Sequence, residues 1–203
     1  SPAVAQAQIT VEYPTFRGTI MKPALLVVDL QKAFFSSGQQ TSQSLDQSVA
    51  YVNSAIGMFR EHGLPVIFVQ HISPDDGLLP GRPGCEIDEK IDALPSDIRI
   101  QKQHGSSFHQ TGLAGQLEEL GVDTVFIAGY CAEHCVLSTY RGAQDEGLAA
   151  SLIRGALASP SHENIRFVEC ISDVVSVSNL QYLLSEEAWP SVKPNQNSYH
   201  EAQ

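Results

Sequence analysis

Residues 124–135 read TVFIAGYCAEHC. The first six are a short, continuous apolar run ending in glycine, the pattern of a strand buried on both faces of a parallel sheet. The second six carry two cysteines and lead into residues 134–146, a helical stretch closed by Gly147. A buried strand passing through a tight turn into a helix is one unit of an α/β sheet, and the chain repeats it in both directions. Upstream, ALLVVD (24–29) and PVIFVQ (65–70) are buried strands. Between them a helix over 44–62 places Val49, Val52, Ile56 and Phe59 at helical spacing, with Gly63 as its stop. Residues 98–102 form a shorter strand and 113–120 a helix. Downstream come a strand over 148–153, a helix N-capped by Ser161 and running to about 171, a strand over 174–177 and a last helix over 180–187. Strands alternating with helices predict an α/β fold of three layers, a parallel sheet of six strands with helices on both faces.

The chain has 203 residues, 42% hydrophobic and 17% charged, which suits one well-buried domain and would cramp two. That domain is expected over 23–188, with a tail or peripheral strand over 1–22 and a loose tail over 189–203. Twelve basic against 23 acidic residues give a formal net charge of −11. A phosphate backbone is repelled by such a charge and no basic run offsets it, so nucleic acid is excluded as a partner. One buried lysine can still dominate a pocket locally, which leaves anionic substrates open. No apolar run approaches the roughly 20 residues that span a bilayer, so no membrane partner is expected. Cysteines stand at 85, 131, 135 and 170. A chain of this size needs no staples, and SPAVAQAQITVEYP at the start lacks the basic opening and apolar core of a signal peptide. The expectation is therefore four thiols in a reducing, cytoplasmic compartment. Residues 72–95 hold four prolines and read as a long loop, with room for one helical turn; loops this long inside a compact domain are often functional.

In parallel sheets the ligand sits at the carboxyl ends of the strands. Three reactive side chains fall there: Asp29 ends the first strand, Lys102 the third, and Cys135 follows the fourth. Cys135 opens a helix, where unpaired N–H groups and a partial positive charge lower a thiol pKa and stabilise an oxyanion. Asp29 supplies a base and Lys102 a cation to poise the pair. Taken singly, each has a plainer role as packed thiol, helix cap or solvated lysine. Their joint placement carries the argument.

Three motifs in order resemble the isochorismatase-like cysteine hydrolases. ALLVVDLQKAF (24–34) is similar to the family's opening motif. KQHGSSFHQTGL (102–113) resembles its lysine motif, with Ser106, Phe108, Thr111 and Leu113 in the expected places. GYCAEHCVLST (129–139) resembles its nucleophile motif, and RPGCEI (82–87) its Gly-x-Glu loop. The resemblance runs from about 24 to 187. It implies a six-stranded parallel sheet in Rossmann-type order and a triad of Asp29, Lys102 and Cys135. It also implies a cis peptide at Tyr130–Cys131 and an oxyanion hole from the backbone N–H groups of Cys131 and Cys135. The chemistry implied is attack of the thiol on an amide carbonyl, loss of ammonia or an amine, and hydrolysis of the thioester. A homo-oligomer, dimer or tetramer, is likewise implied.

Departures narrow this reading. Metal-dependent members carry Asp-x-His near the second strand, whereas this chain reads VQHISPDD, with His71 but no aspartate two residues earlier. Asp75 and Asp76 follow in the loop. The expectation is no metal and no cofactor, with His71 lining the pocket. Gln31, Phe34, Phe35, Phe108, Tyr130 and His134 are further candidates for substrate contact, Glu133 flanks the nucleophile in a structural role, and Arg141 is read as a salt-bridge partner on the nucleophile helix. The function expected is hydrolysis of a C–N bond in a small amide, ureide or carbamoyl compound. The alternatives are an isochorismatase-type vinyl ether hydrolase and a non-catalytic binding or effector protein on the same fold. A redox pair of Cys131 and Cys135 lacks the C-x-x-C spacing.

Overall fold

Strand β1 (Pro23–Val28) is buried at every residue, because both of its faces are covered. Leu25 and Val27 point into one core, while Ala24, Leu26 and Val28 point into the other. This computed structural model describes residues 21–185. Around β1 lie β2 (Val66–His71), β3 (Ile98–Lys102), β4 (Thr124–Tyr130), β5 (Ala149–Ala158) and β6 (Val174–Val175). All pairings are parallel, in the order β3-β2-β1-β4-β5-β6. The strand order reverses between β1 and β4, and a crevice opens there at their carboxyl ends.

The helices are α1 (Lys32–Phe35), α2 (Gln39–Glu61), α3 (Leu113–Glu119), α4 (Leu137–Asp145), α5 (His162–Cys170) and α6 (Val177–Leu184). On one face α2 presents Leu45, Val52, Ala55, Ile56 and Phe59, joined by Leu180 and Leu184 of α6. On the other, Leu113 and Leu117 of α3 pack with Tyr140 and Ala143 of α4 and Val168 of α5. Each fully buried leucine or phenylalanine contributes about 1.5–3 kcal/mol, so the two cores hold the sheet from both sides.

Several boundaries differ from the sequence reading. Helix α2 starts at Gln39, not 44, because its first turn is almost wholly polar and lies on the surface. Strand β5 runs on to Ala158, past Arg154 and Gly155. A bulge opposite Ile127 and Gly129 absorbs the irregularity, with Gly155 at φ +85°. Strand β6 is two residues long, because Ser176 turns the chain into α6 and its Oγ accepts the Asn179 N–H at 3.2 Å. Ser161 does precede α5, but its side chain caps nothing; its N–H donates to Ser159 Oγ instead. The long loop contains one 3-10 turn, Pro83–Cys85, and a small buried cluster of Ile72, Leu78 and Cys85. Apart from Met21 and Lys22, both expected tails lie outside the described residues, as do 186 and 187. No helix among the described residues is long and apolar enough to cross a membrane.

Candidate active site

Asp29 follows β1 directly, in the left-handed region at φ +54°, an uncommon backbone for a residue other than glycine. Its N–H donates to Val69 O at 2.8 Å, and its carboxylate is buried. Lys102 ends β3, opposite His71 at the end of β2. The Lys102 side chain is fully enclosed, and its Nζ donates to Asp29 Oδ2 at 2.8 Å and to His104 O at 3.1 Å. It also stands 3.4 Å from His71 Nδ1. Among the described residues, Asp29 Oδ1 is buried without a hydrogen-bond partner.

The nucleophile corner is shaped by Gly129. It has φ +130°, and a Cβ there would lie 2.0 Å from Val28 O, so only glycine lets β4 leave the sheet this close to β1. The Tyr130–Cys131 peptide is cis. A π turn, Ala132–Val136, then feeds α4. Val136 N–H donates to Cys131 O at 3.2 Å, which leaves Cys135 in the first turn, where amides lack helical partners. A carboxylate oxygen of Asp29, a ring nitrogen of His71 and Cys135 Sγ lie within 4.8 Å of one another.

The electrostatics reverse one expectation. A lowered thiol pKa follows from a helix start alone. Burial, and then the Asp29 charge, instead push Cys135 up to about 11, with Lys102 offsetting only part. Burial also holds Asp29 above its ordinary value, against the pull of Lys102. His71 is pushed down by burial and by the Lys102 charge, so its ring is neutral and its Nδ1 can accept from Lys102. The resting arrangement is a thiol, a carboxylate and an ammonium.

These groups open onto a cavity of about 320 Å³. Phe34, His71, Tyr130, Cys131 and His134 line it beside Asp29 and Cys135, as do Glu133 and Pro160. Three sequence candidates do not. Gln31 is fully buried: its Nε2 donates to His71 O and Cys85 O, and its Oε1 accepts His71 N–H at 2.7 Å. It ties the long loop to the end of β2, and no polar atom is left for substrate. Phe35 packs into the core beneath α2. Phe108 packs into the opposite core, against α4. Lys102 does not dominate the pocket either, since it lies behind Asp29 and is neutralised by it. Arg141 bonds the Ile171 carbonyl at 2.8 Å rather than a carboxylate.

The sequence reading ends the strand at Ile153 and so leaves out Pro160; the apolar residues that resume at 156–158 are the signal for it. The loop that follows Lys102 is clamped onto α4, a second feature that local sequence does not show. Ser107 N–H donates to Thr139 Oγ1 at 3.0 Å, and the two hydroxyls are 2.7 Å apart. Gly142 allows the close approach, for a Cβ there would lie 2.4 Å from Ser106 Oγ. Asp29, His71 and Cys135 are also a formal donor set for a metal ion. They fit a resident metal poorly: the Lys102 ammonium already occupies Asp29 Oδ2, and a second cation beside it would be repelled. Asp75 and Asp76 are not members of that set. All four cysteines are free thiols.

A family model described as the isochorismatase domain matches residues 23–169. An uncharacterized isochorismatase family protein of Bacillus subtilis, YddQ, is 30% identical over 142 residues, 68% of this chain and 79% of the relative. The maleamate amidohydrolase of Pseudomonas putida is 25% identical over 162 residues, 70% of this chain and 76% of that protein. The solved structure of N-carbamoylsarcosine amidase from Thermoplasma acidophilum aligns with a TM-score of 0.68 at 27% identity, covering 77% of this chain and 97% of that one. The matched span holds Asp29, Lys102 and Cys135 together with the strand order that gathers them, and the chain belongs to the isochorismatase family of hydrolases.

Proposed function

We propose that the protein is a cysteine amidohydrolase that cleaves a C–N bond of a small amide, ureide or carbamoyl compound. The observation that carries this reading is the meeting of three strand ends: a buried carboxylate ion-paired to a buried lysine, facing a thiol at the start of a helix. The similarity to the maleamate amidohydrolase and to the N-carbamoylsarcosine amidase supports it.

In this mechanism the Cys135 thiol is protonated at rest. Asp29 Oδ1, which has no other partner, takes the proton as sulfur attacks the substrate carbonyl. The raised pKa of Asp29 narrows the gap to the thiol and makes the transfer less uphill. Lys102 holds the carboxylate in place and balances its charge. The backbone N–H groups of Cys131 and Cys135 receive the oxyanion. Asp29 then delivers its proton to the departing nitrogen, the C–N bond breaks, and ammonia or an amine leaves a thioester on Cys135. Asp29 next takes a proton from water, whose oxygen attacks the thioester; the acid forms and the thiol is restored.

The test is ammonia release from a panel of small amides, ureides and carbamoyl compounds, after chelator treatment, by the wild type and by Cys135→Ala. Release that survives chelation and vanishes in the variant is the expected result. Release by the variant overturns the thiol mechanism. No release from any compound by folded protein overturns the amidase reading and favours vinyl ether hydrolysis.

A further inference from the structure

We infer that the substrate carries an organic cation, an ammonium or guanidinium-like group, at the end remote from its reacting amide, held by the Glu133 carboxylate against the rings of Phe34 and Tyr130. The inference rests on the amidohydrolase reading and names its substrate class.

Glu133 lines the cavity with its carboxylate fixed by neutral groups. Its Oε1 accepts Ser159 Oγ–H at 3.0 Å and Asn164 Nδ2–H at 2.6 Å. Its Oε2 is buried and has no hydrogen-bond partner among the described residues. The Cys131 thiol beside it is only a weak donor. Burial, which alone raises a carboxyl pKa, is outweighed here by the Cys131 contact and by donors from the Glu133 backbone, Asn164 and Ser159. The net shift is downward, and the group is ionised. An ionised carboxylate at the wall of a largely apolar cavity attracts a cation across it.

The basic groups beside the thiol do not answer it. Lys102 is enclosed and paired to Asp29, and His71 is held neutral. No lysine or arginine is among the described lining residues. The Phe34 and Tyr130 rings lie 5.1 Å apart between centroids and line the same cavity. Aromatic faces attract organic cations, so a carboxylate beside two rings is the composition of a cation site. A substrate ending in a carboxylate meets the Glu133 and Asp29 carboxylates with no lysine or arginine among the described lining residues to offset the repulsion. The formal net charge of −11 draws cations toward the protein in the same sense.

Three amides of matched length test this: 3-aminopropanamide, butanamide and succinamate, ending in an ammonium, a methyl and a carboxylate. Affinities are measured by ligand-observed NMR near neutral pH on Cys135→Ala, with and without Glu133→Gln, and ammonia release is measured on the wild type. Gln at 133 keeps an oxygen for Ser159 and Asn164 and removes only the charge. The expected order is ammonium, methyl, carboxylate, with the ammonium ahead of the methyl by about tenfold, and Glu133→Gln closing that gap. Phe34→Leu narrows it in part and covers a misfolded Gln variant. Equal affinities, tightest binding of succinamate, or a preference that survives Glu133→Gln overturns the cation site. A binding preference without ammonia release supports the cation site and sinks the amidohydrolase reading alone. Equal release from all three, with equal affinities, does the reverse.

Discussion

Cys131 and Cys135 line one cavity, four residues apart, each beside a carboxylate, and the surroundings give them opposite prospects. Burial and Glu133 push Cys131 up to about 12. Glu133 itself is lowered, by neutral donors that stabilise its charge. The thiol there holds its proton firmly and the carboxylate refuses it. At Cys135 the thiol is raised only to about 11, and the partner, Asp29, is raised as well, because complete burial outweighs its lysine. The gap between acid and base widens at Cys131, while at Cys135 the rise of the carboxylate offsets the rise of the thiol. Proximity of a carboxylate does not make a cysteine a nucleophile; the carboxylate must also be willing to take the proton. The same contrast disfavours a disulfide between the two, since thiolate is the species that reacts.

The contrast is most exposed to removal of each sulfur in turn. Cys135→Ala is expected to lower kcat for ammonia release by about 10⁴-fold or more, and Cys131→Ala by less than about tenfold. Comparable losses would erase the distinction. Next in size is Asp29→Asn, with a loss of about 10³-fold. That variant also sharpens the electrostatic half of the argument. With the Asp29 charge gone and Lys102 retained, the pH midpoint for alkylation of Cys135 should fall below about 11. An unmoved midpoint would mean that burial alone sets it.

A third, smaller effect lies in the pH profile. Asp29 acts as the ionised base, and its pKa is raised, so activity is present above that pKa and lost as pH falls through it. The acid limb of kcat/KM should therefore stand above the ordinary aspartate value of about 3.9, and Lys102→Met should move it higher. A limb at the ordinary value would place Asp29 outside the proton transfer. The smallest effect is expected from the clamp behind Lys102. Gly142→Ala sets a methyl 2.4 Å from Ser106 Oγ and 3.2 Å from Phe108, at a cost of about 1–3 kcal/mol in denaturant unfolding. Unchanged stability would show that the loop yields freely and does not hold Lys102 in place.

Much of the fold was legible because it rests on local rules. ALLVVD and TVFIAG are continuous apolar runs, and only strands covered on both faces have reason to be so. Polar or broken segments were harder. The first turn of α2, QQTSQ, carries no apolar stripe, and β5 resumes after Arg154–Gly155 only because a bulge restores its register against β4. At the site, the positions of Asp29, Lys102 and Cys135 were readable, since strand ends in a parallel sheet converge. The side-chain assignments of Gln31, Phe35 and Phe108 were not. Each depends on what packs over it: the long loop closes on Gln31, and two separate cores receive the phenylalanines.

By itself, then, the amino-acid sequence determined the α/β class, the parallel sheet and the three strand ends that carry reactive groups. Hydrophobic periodicity and the alternation of elements act within windows of a few residues. The charge state of the thiol, the neutral ring of His71, the enclosed Lys102 and the unpaired oxygen of Glu133 were decided only by the tertiary structure. Burial and Coulomb interactions depend on neighbours brought from distant parts of the chain, and no local window contains them.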